Sequence, residues 1–177
     1  KAQCMHCADP ACAAACMIGA LVKDPVTGVV GYDATYCVGC RYCQMACPFN
    51  IPKFEFSSVT PKIVKCELCR HRVAGAQLAS GEGGFSRYPK DHGPACCEVC
   101  PRAAVIYGKR SELLAEAKRR IEKEPGRYVP HVYGETEAGG TQVLYLSHVP
   151  FEKLGLPDYG PQGVPQTAYA IQEGLYQ

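Results

Sequence analysis

Cys37-Val38-Gly39-Cys40-Arg41-Tyr42-Cys43-Gln44-Met45-Ala46-Cys47-Pro48 spaces its cysteines as C-x2-C-x2-C-x3-C, with a proline directly after the last. The chain has 13 cysteines in 177 residues, all between Cys4 and Cys100, and the same C-x3-C step closes two further sets. Cys4, Cys7, Cys12 and Cys16 read C-x2-C-x4-C-x3-C, and Cys66-x2-Cys69 is followed after a long interval by Cys96, Cys97 and Cys100. Thiolates are soft donors, so such runs select iron-sulfur clusters or zinc over hard cations.

The run from Cys37 to Pro48 is the bacterial-ferredoxin ligand run, whose fourth cysteine serves a different cluster from the first three. Three closely spaced cysteines wrap one corner of an iron-sulfur cube, whereas a fourth placed four residues along a helix lies about 6 Å further up the axis. Two runs exchanging their last cysteines predict a crossed pair of 4Fe-4S clusters. Cys4, Cys7 and Cys12 would then join Cys47, and Cys37, Cys40 and Cys43 would join Cys16.

In the third set, Cys66 and Cys69 precede Ala95-Cys96-Cys97-Glu98-Val99-Cys100-Pro101, so Cys96 or Cys97 could supply the third ligand. The C-x3-C step favours Cys96. Under the crossing rule Cys100 would serve a cluster whose other ligands come from an upstream quartet; otherwise the third set closes on itself. The favoured expectation is a chain lacking an N-terminal quartet, since Gln3 leads straight into Cys4.

Paired C-x2-C knuckles also mark structural zinc, but runs of four with a recurrent C-x3-C do not divide into knuckle pairs. Disulfide stapling suits chains shorter than this one. A C-x3-C-x2-C run for a single reactive cluster is absent. Cys97 is expected to be packed filler rather than a reactive thiol.

Asp9-Pro10 ahead of Ala11-Cys12-Ala13-Ala14-Ala15-Cys16 predicts a helix with Asp9 as N-cap and Pro10 at its first position. Ala20-Leu21-Val22 and Val29-Val30-Gly31-Tyr32 read as short strands joined by the turn-rich Asp24-Pro25-Val26-Thr27-Gly28. After Cys16 comes Met17-Ile18-Gly19-Ala20-Leu21, and after Cys100 comes Pro101-Arg102-Ala103-Ala104-Val105, a weak repeat suggesting half of another module. Residues 75–94, with Gly75, Gly81, Gly83, Gly84 and Gly93, form a polar insertion. Leu113, Leu114, Ala117 and Ile121 predict an amphipathic helix from Ser111 to Lys123, with Ser111 a candidate N-cap. Val143-Leu144-Tyr145-Leu146 is expected to be a strand and Pro150 to Pro165 extended, a tail suited to lying along another subunit. His131 and His148 lack ligand spacing.

The formal charge of +2 counts thiols as neutral. Each oxidised cluster with its thiolates carries about −2, so three would bring the chain to roughly −4. Arg41, Lys53, Lys62, Lys65, Arg70, His71 and Arg72 flank the ligands as screening charge or as a solvated face, which argues against a nucleic-acid patch. The longest apolar run, Ala13 to Val22, falls short of the ~20 residues of a membrane span. No glycine fingerprint or phosphate loop for NAD or flavin is present.

Cys4-Met5-His6-Cys7, Val38-Gly39-Cys40-Arg41-Tyr42-Cys43, Lys65-Cys66-Glu67-Leu68-Cys69 and Cys96-Cys97-Glu98-Val99-Cys100-Pro101 resemble the multi-cluster electron-transfer subunits of membrane-bound oxidoreductases. The stretches Gly134-Glu135, Gly139-Gly140-Thr141-Gln142-Val143-Leu144 and Val149-Pro150-Phe151-Glu152-Lys153-Leu154-Gly155-Leu156-Pro157 look most like the iron-sulfur subunits of quinone-linked nickel-iron hydrogenases. The resemblance implies four 4Fe-4S clusters, hydrogenase small and large subunits and a quinone-reducing membrane subunit as partners. It also implies a periplasmic location, a twin-arginine export signal and often a C-terminal anchor. By the same resemblance Cys66, Cys69 and Cys96 share a cluster with an upstream cysteine, and Cys100 completes the cluster held by a further quartet upstream of Cys4. The sequence departs from the pattern in lacking that quartet, in having Met17 where a proline usually follows, and in stopping at Gln177 before any anchor.

The expected fold is therefore α+β, with tandem ferredoxin-like modules of short hairpins and helices around 4Fe-4S clusters and an extended C-terminal tail. Its expected divisions are a crossed two-cluster module over 1–58, an incomplete module over 59–110, and a helix with partner-binding tail over 111–177. The expected role is a relay of single electrons without substrate chemistry of its own. A relay in a molybdenum or tungsten oxidoreductase, or a cluster-based redox sensor, is the alternative.

Overall fold

The computed structural model describes residues 3–73 and 93–166. Most of the expected insertion, including Gly75, Gly81, Gly83 and Gly84, lies outside them. Helix α1 (Ala11–Ala14) follows the first cysteine loop and α2 (Tyr42–Ala46) the second. Between them β1 (Leu21–Lys23) pairs antiparallel with β2 (Val30–Tyr32), Leu21 opposite Tyr32. The connecting turn is closed by Asp24, whose carboxylate accepts from the Val26 N–H at 2.8 Å and the Thr27 hydroxyl at 2.7 Å, as aspartate does in Asx turns. Leu21 and Val30 are buried while Val22 points outward, the period of two expected of a half-buried hairpin.

A second hairpin, β3 (Lys53–Phe54) with β4 (Ile63–Val64), has no counterpart in the sequence reading. It pairs residues on both sides of position 58, where the first two expected divisions, 1–58 and 59–110, meet. Phe54 and Ile63 pack with Leu21, Val30, Cys12 and Cys43 in one buried cluster. Burial of each such aliphatic or aromatic side chain contributes about 1.5–3 kcal/mol. The two hairpins are tied where the Ile63 N–H donates to the Tyr32 hydroxyl at 3.2 Å.

Helix α3 (Arg70–Val73) follows Cys66 and Cys69, α4 (Ala95–Glu98) holds Cys96 and Cys97, and α5 (Arg110–Lys123) comes after Cys100. Two caps are corrected. Pro10 is itself the N-cap of α1, because its carbonyl accepts the first helical bonds from Ala13 and Ala14. Lys109 fills that place for α5, leaving Ser111 inside the helix. The preceding Lys109 carbonyl is free to take the Leu113 N–H at 3.0 Å, so the helix starts earlier than the serine.

The C-terminal segment folds back. Met5, Tyr133 and Phe151 form a second buried cluster, with Phe49, Val129, Val143, Tyr145 and Leu156 against it. The N–H groups of Gln142 and Val143 both donate to the Met5 carbonyl, at 3.1 and 3.2 Å, and Tyr159 donates its hydroxyl to the Pro48 carbonyl at 2.7 Å. From α5, Arg110 reaches the carbonyls of Thr141, Gly134 and Glu135. Consequently Val143–Leu146 is not a strand but a single bridge, Tyr133 to Tyr145, because the adjacent amides are already taken by Met5. The expected extended run from Pro150 contains a 3-10 turn, Phe151–Leu154. Among the described residues no helix is long and apolar enough to cross a membrane. The result is a small mixed α and β fold of short helices and two-stranded sheets.

Candidate metal centre

One local geometry occurs three times. Cys12, Cys43 and Cys96 are each the second residue of a short helix, in α1, α2 and α4. Four residues on, Cys16, Cys47 and Cys100 each open the same corner. The cysteine carbonyl accepts the N–H of the third residue beyond it, Gly19 at 3.1 Å, Asn50 at 3.0 Å and Ala103 at 3.0 Å. That residue is left-handed in every case, with φ of 65°, 50° and 47°. At two corners the next amide turns onto the sulfur: Ala20 N–H to Cys16 Sγ at 3.2 Å and Ala104 N–H to Cys100 Sγ at 3.3 Å.

The C-x2-C loops repeat as well. The residue before the second cysteine is left-handed at His6, Gly39 and Leu68, with φ of 48°, 74° and 52°. Six non-glycine residues of these motifs, His6, Arg41, Asn50, Leu68, Cys69 and Ala103, hold positive φ, a conformation costing about 1–3 kcal/mol each. Strain concentrated in this way curls backbone N–H groups inward around the sulfurs.

Charge effects report which thiols share space. Burial pushes the Cys12 thiol up to about 12, and Cys4, Cys47 and Cys7 add to the push. Cys7 is likewise raised to about 12 by burial, then by Cys4 and Cys47. Around α2, Cys43 is raised to about 11 by burial, then by Cys16 and Cys40, with Cys37 contributing. Across the runs, Cys47 therefore bears on Cys4, Cys7 and Cys12, and Cys16 bears on Cys43. Thiolates gathered from two runs, with Cys4, Cys12 and Cys43 buried and the others partly or fully exposed, repel one another unless a positively charged core sits among them, so this donor chemistry fits an iron-sulfur cube.

The third set is more open. Cys66 lies near Cys4, Cys69 Sγ accepts from the Ala95 N–H at 3.5 Å, and Arg72 pairs with Glu98 at 2.7 Å to tie α3 to α4. Cys97 is buried, facing Tyr107, whereas Cys96 is partly exposed. Pro10-Ala11-Cys12-x3-Cys16 and Pro94-Ala95-Cys96-x3-Cys100 align residue for residue, and both prolines cap their helices. Those four identities over seven positions are a further sequence signal favouring Cys96 over Cys97.

A family model described as a 4Fe-4S dicluster domain matches residues 1–82. Residues 1–82 belong to the 4Fe-4S dicluster family. The chain is 42% identical over 198 residues to the "Hydrogenase-2 operon protein HybA" of Escherichia coli O157:H7, covering 100% of this chain and 57% of that protein. It is 35% identical over 150 residues to "Formate dehydrogenase, nitrate-inducible, iron-sulfur subunit" of Escherichia coli strain K12, covering 84% of this chain and 45% of that one. It is 32% identical to "Formate dehydrogenase iron-sulfur subunit" of Haemophilus influenzae over 150 residues, 84% of this chain and 43% of the relative. The chain spans about half the length of the curated relatives it matches.

Around the dicluster thiols, ammonium groups hold the ligand loops by their carbonyls. Lys62 donates to the carbonyls of Ala34 at 2.8 Å and Cys37 at 2.9 Å. Lys65 donates to those of Val30 at 2.5 Å and Cys66 at 3.2 Å. Lys23, which the sequence did not single out, donates to the carbonyls of Cys7 at 2.5 Å, Gly28 at 3.1 Å and His6 at 3.4 Å. Burial lowers its pKa against the pull of Cys7 and Cys4.

The other flanking residues have more ordinary roles. Arg70 pairs with Glu67 at 3.0 Å and donates to the Tyr32 carbonyl at 2.7 Å. Arg41 stacks over Phe54 and Phe56, Lys53 donates to Asn50, and His71 is exposed. His131 pairs with buried Glu137, which also accepts from the Gly134 N–H at 2.7 Å. His131 is therefore a hydrogen-bonding residue of the tail.

Proposed function

We propose that this chain is the electron-relay part of an iron-sulfur subunit, passing single electrons between a catalytic partner and a membrane quinone-reducing subunit. In this reading Cys4, Cys7, Cys12 and Cys47 hold one 4Fe-4S cluster, and Cys16, Cys37, Cys40 and Cys43 hold a second. Cys66, Cys69 and Cys96 supply three ligands of a third, and Cys100 serves a fourth. The tandem-module architecture belongs to the same proposal, with the second module beginning after β4. The observation that supports the reading most is the effect across runs: Cys47 of the second run raises the Cys7 and Cys12 thiols, and Cys16 of the first raises that of Cys43. A cube held there supplies reversible one-electron storage. The chain's own residues bind it, exclude water from its sulfurs and tune its charge.

Similarity to a hydrogenase-2 operon protein supports hydrogenase small and large subunits as the catalytic side and a periplasmic, membrane-associated setting. Similarity to formate dehydrogenase iron-sulfur subunits supports a second reading, the same relay beside a molybdenum or tungsten active site. Direct NAD, flavin or nucleic-acid binding forms no part of either. Iron and acid-labile sulfide counting on the purified protein tests the core claim. Two cubes require about eight irons per chain; about four would end the relay reading, and zinc in their place would end the cluster reading altogether. The intact membrane complex is expected to contain nickel and to reduce dyes with hydrogen. Absence of both would move the partner assignment to the second reading.

A further inference from the structure

His6 is the one side chain near the thiols whose polar chemistry is left incomplete among the described residues. It is 0% exposed. Its Nδ1 accepts the Val30 N–H at 3.0 Å, which places the ring proton of neutral imidazole on Nε2. Nε2 is buried and has no hydrogen-bond partner among the described residues. An unmet buried donor costs about 1–3 kcal/mol, so a native fold keeps one only where something outside the polypeptide accepts the bond.

The surroundings narrow what that acceptor is. His6 sits inside the C-x2-C loop between Cys4 and Cys7, in the left-handed conformation that turns the loop around the first thiol set. Its own carbonyl and that of Cys7 are fixed by the Lys23 ammonium, and the Lys65 ammonium stands close by. Two ammonium groups at this loop favour an anionic acceptor. The anionic group expected at this loop, on the reading given above, is a cube with thiolate and sulfide corners.

We propose that His6 is a positioning residue that donates its Nε2–H to a sulfur of the cluster held by Cys4, Cys7, Cys12 and Cys47, and so raises that cluster's reduction potential. The bond strengthens when the cube gains an electron, because the sulfurs then carry more negative charge, so the reduced form is stabilised more than the oxidised form. No counterpart occurs in the second run, where the residue at the same place in its first C-x2-C is Gly39. The two cubes of the dicluster domain are thereby made unequal, the first being the better resting place for an electron. The inference rests on the ligand sets proposed above, and its test separates the two.

The experiment uses the full-length protein in its isolated complex, labelled with ring-15N histidine, reduced stepwise and followed by pulsed electron-nuclear resonance. One cluster signal is expected to show a histidine nitrogen coupling that follows the label and a proton coupling that exchanges in D2O. Cys47→Ser is expected to remove that same signal. His6→Phe is expected to keep the iron content, abolish both couplings and lower the midpoint of that cluster alone. The expected size is a roughly tenfold fall in its reduced-to-oxidised ratio at fixed potential, or ~59 mV for one electron. His6→Gln, which restores a donor, should recover part of the shift. With the full iron content present, absence of any histidine coupling in the unsubstituted protein overturns the role of His6. A coupling on a signal that Cys47→Ser leaves untouched overturns it at this cluster. An iron count of about four overturns the underlying ligand sets instead. The labelling arm needs no variant, so a misfolded His6→Phe protein does not rescue the proposal.

Discussion

The first two cysteine runs and the third use the same backbone corner, yet among the described residues their thiols are surrounded differently. Cys16, Cys47 and Cys100 share the left-handed turn, and Cys12, Cys43 and Cys96 share the second place in a helix. What differs is the company the sulfurs keep. Cys12 and Cys43 are raised by burial and by three neighbouring thiols each. The Cys100 thiol is instead lowered by the backbone N–H groups of Val105 and Ala104. The corner is a local device for presenting one sulfur, whereas a cluster site also needs a second motif folded against it.

The strongest break in this comparison comes from ligand replacement. Cys47→Ser should remove the first cube, costing about four irons per chain and much of the fold's cohesion, because the sulfur bears on three thiols of another run, Cys4, Cys7 and Cys12. Cys100→Ser should leave the spectra of the first two cubes unchanged. Iron analysis with low-temperature electron resonance on both variants checks this. Loss of the first-run signals in Cys100→Ser would mean that the third set is not separate from them.

Next in size is the joint between the tail and the first run. Gly134 has φ of +96°, and a Cβ there would lie 2.4 Å from the Val143 carbonyl oxygen and 2.5 Å from Thr141 Oγ1. Neither can move without releasing the Met5 bridge. Gly134→Ala should therefore destabilise the segment around Thr141 by about 2–4 kcal/mol, read as faster proteolysis between 127 and 160. The second run's electron-resonance signal should hardly change.

How much of this was legible in the sequence depended on how many residues shared a signal. Twelve cysteines in repeated spacing displayed the sets, and the alternation at Leu21 and Val30 displayed the first hairpin. The β3 and β4 strands are two residues each, too short for any period to show. The tail hid its packing because Tyr133, Phe151 and Leu156 are spaced to meet Met5 and Phe49 across the chain, with no helical or strand rhythm of their own. His6 and Lys23 were invisible for a simpler reason: each acts alone, through a ring nitrogen or an ammonium whose partners lie in other loops.

A smaller test compares lysines. Lys23 holds the first loop and Lys62 the second, so Lys23→Met should lower the first cube's potential and Lys62→Met that of the second. Partly exposed charges near a cluster are worth about 1 kcal/mol or less after screening. Potentiometric titration of each variant should therefore find a shift in one signal only. Equal shifts in both signals from either variant would show that these charges act through the general field rather than through the loop each one grips.

The smallest expected effect lies furthest from the sulfurs, at Glu137. Burial raises its pKa, but backbone N–H groups and His131 outweigh that and hold the carboxyl below the usual range. A depressed folded-state pKa means that the carboxylate stabilises the tail fully above the ordinary value near 4.5 and that the contribution is lost as pH falls through the folded value. Glu137→Gln keeps an acceptor for the Gly134 N–H while removing the charge. Half-exposed His131 limits the loss to about 1 kcal/mol or less. Proteolysis of the tail should be slightly faster in the variant at pH 7, and the difference should close as pH falls below 4.5. If the gap instead widened in acid, the ion pair would not be what anchors this turn. The tail's hold on the first run would then rest on the Met5, Tyr133 and Phe151 contacts alone, making it as independent of charge as the first two cysteine runs are dependent on it.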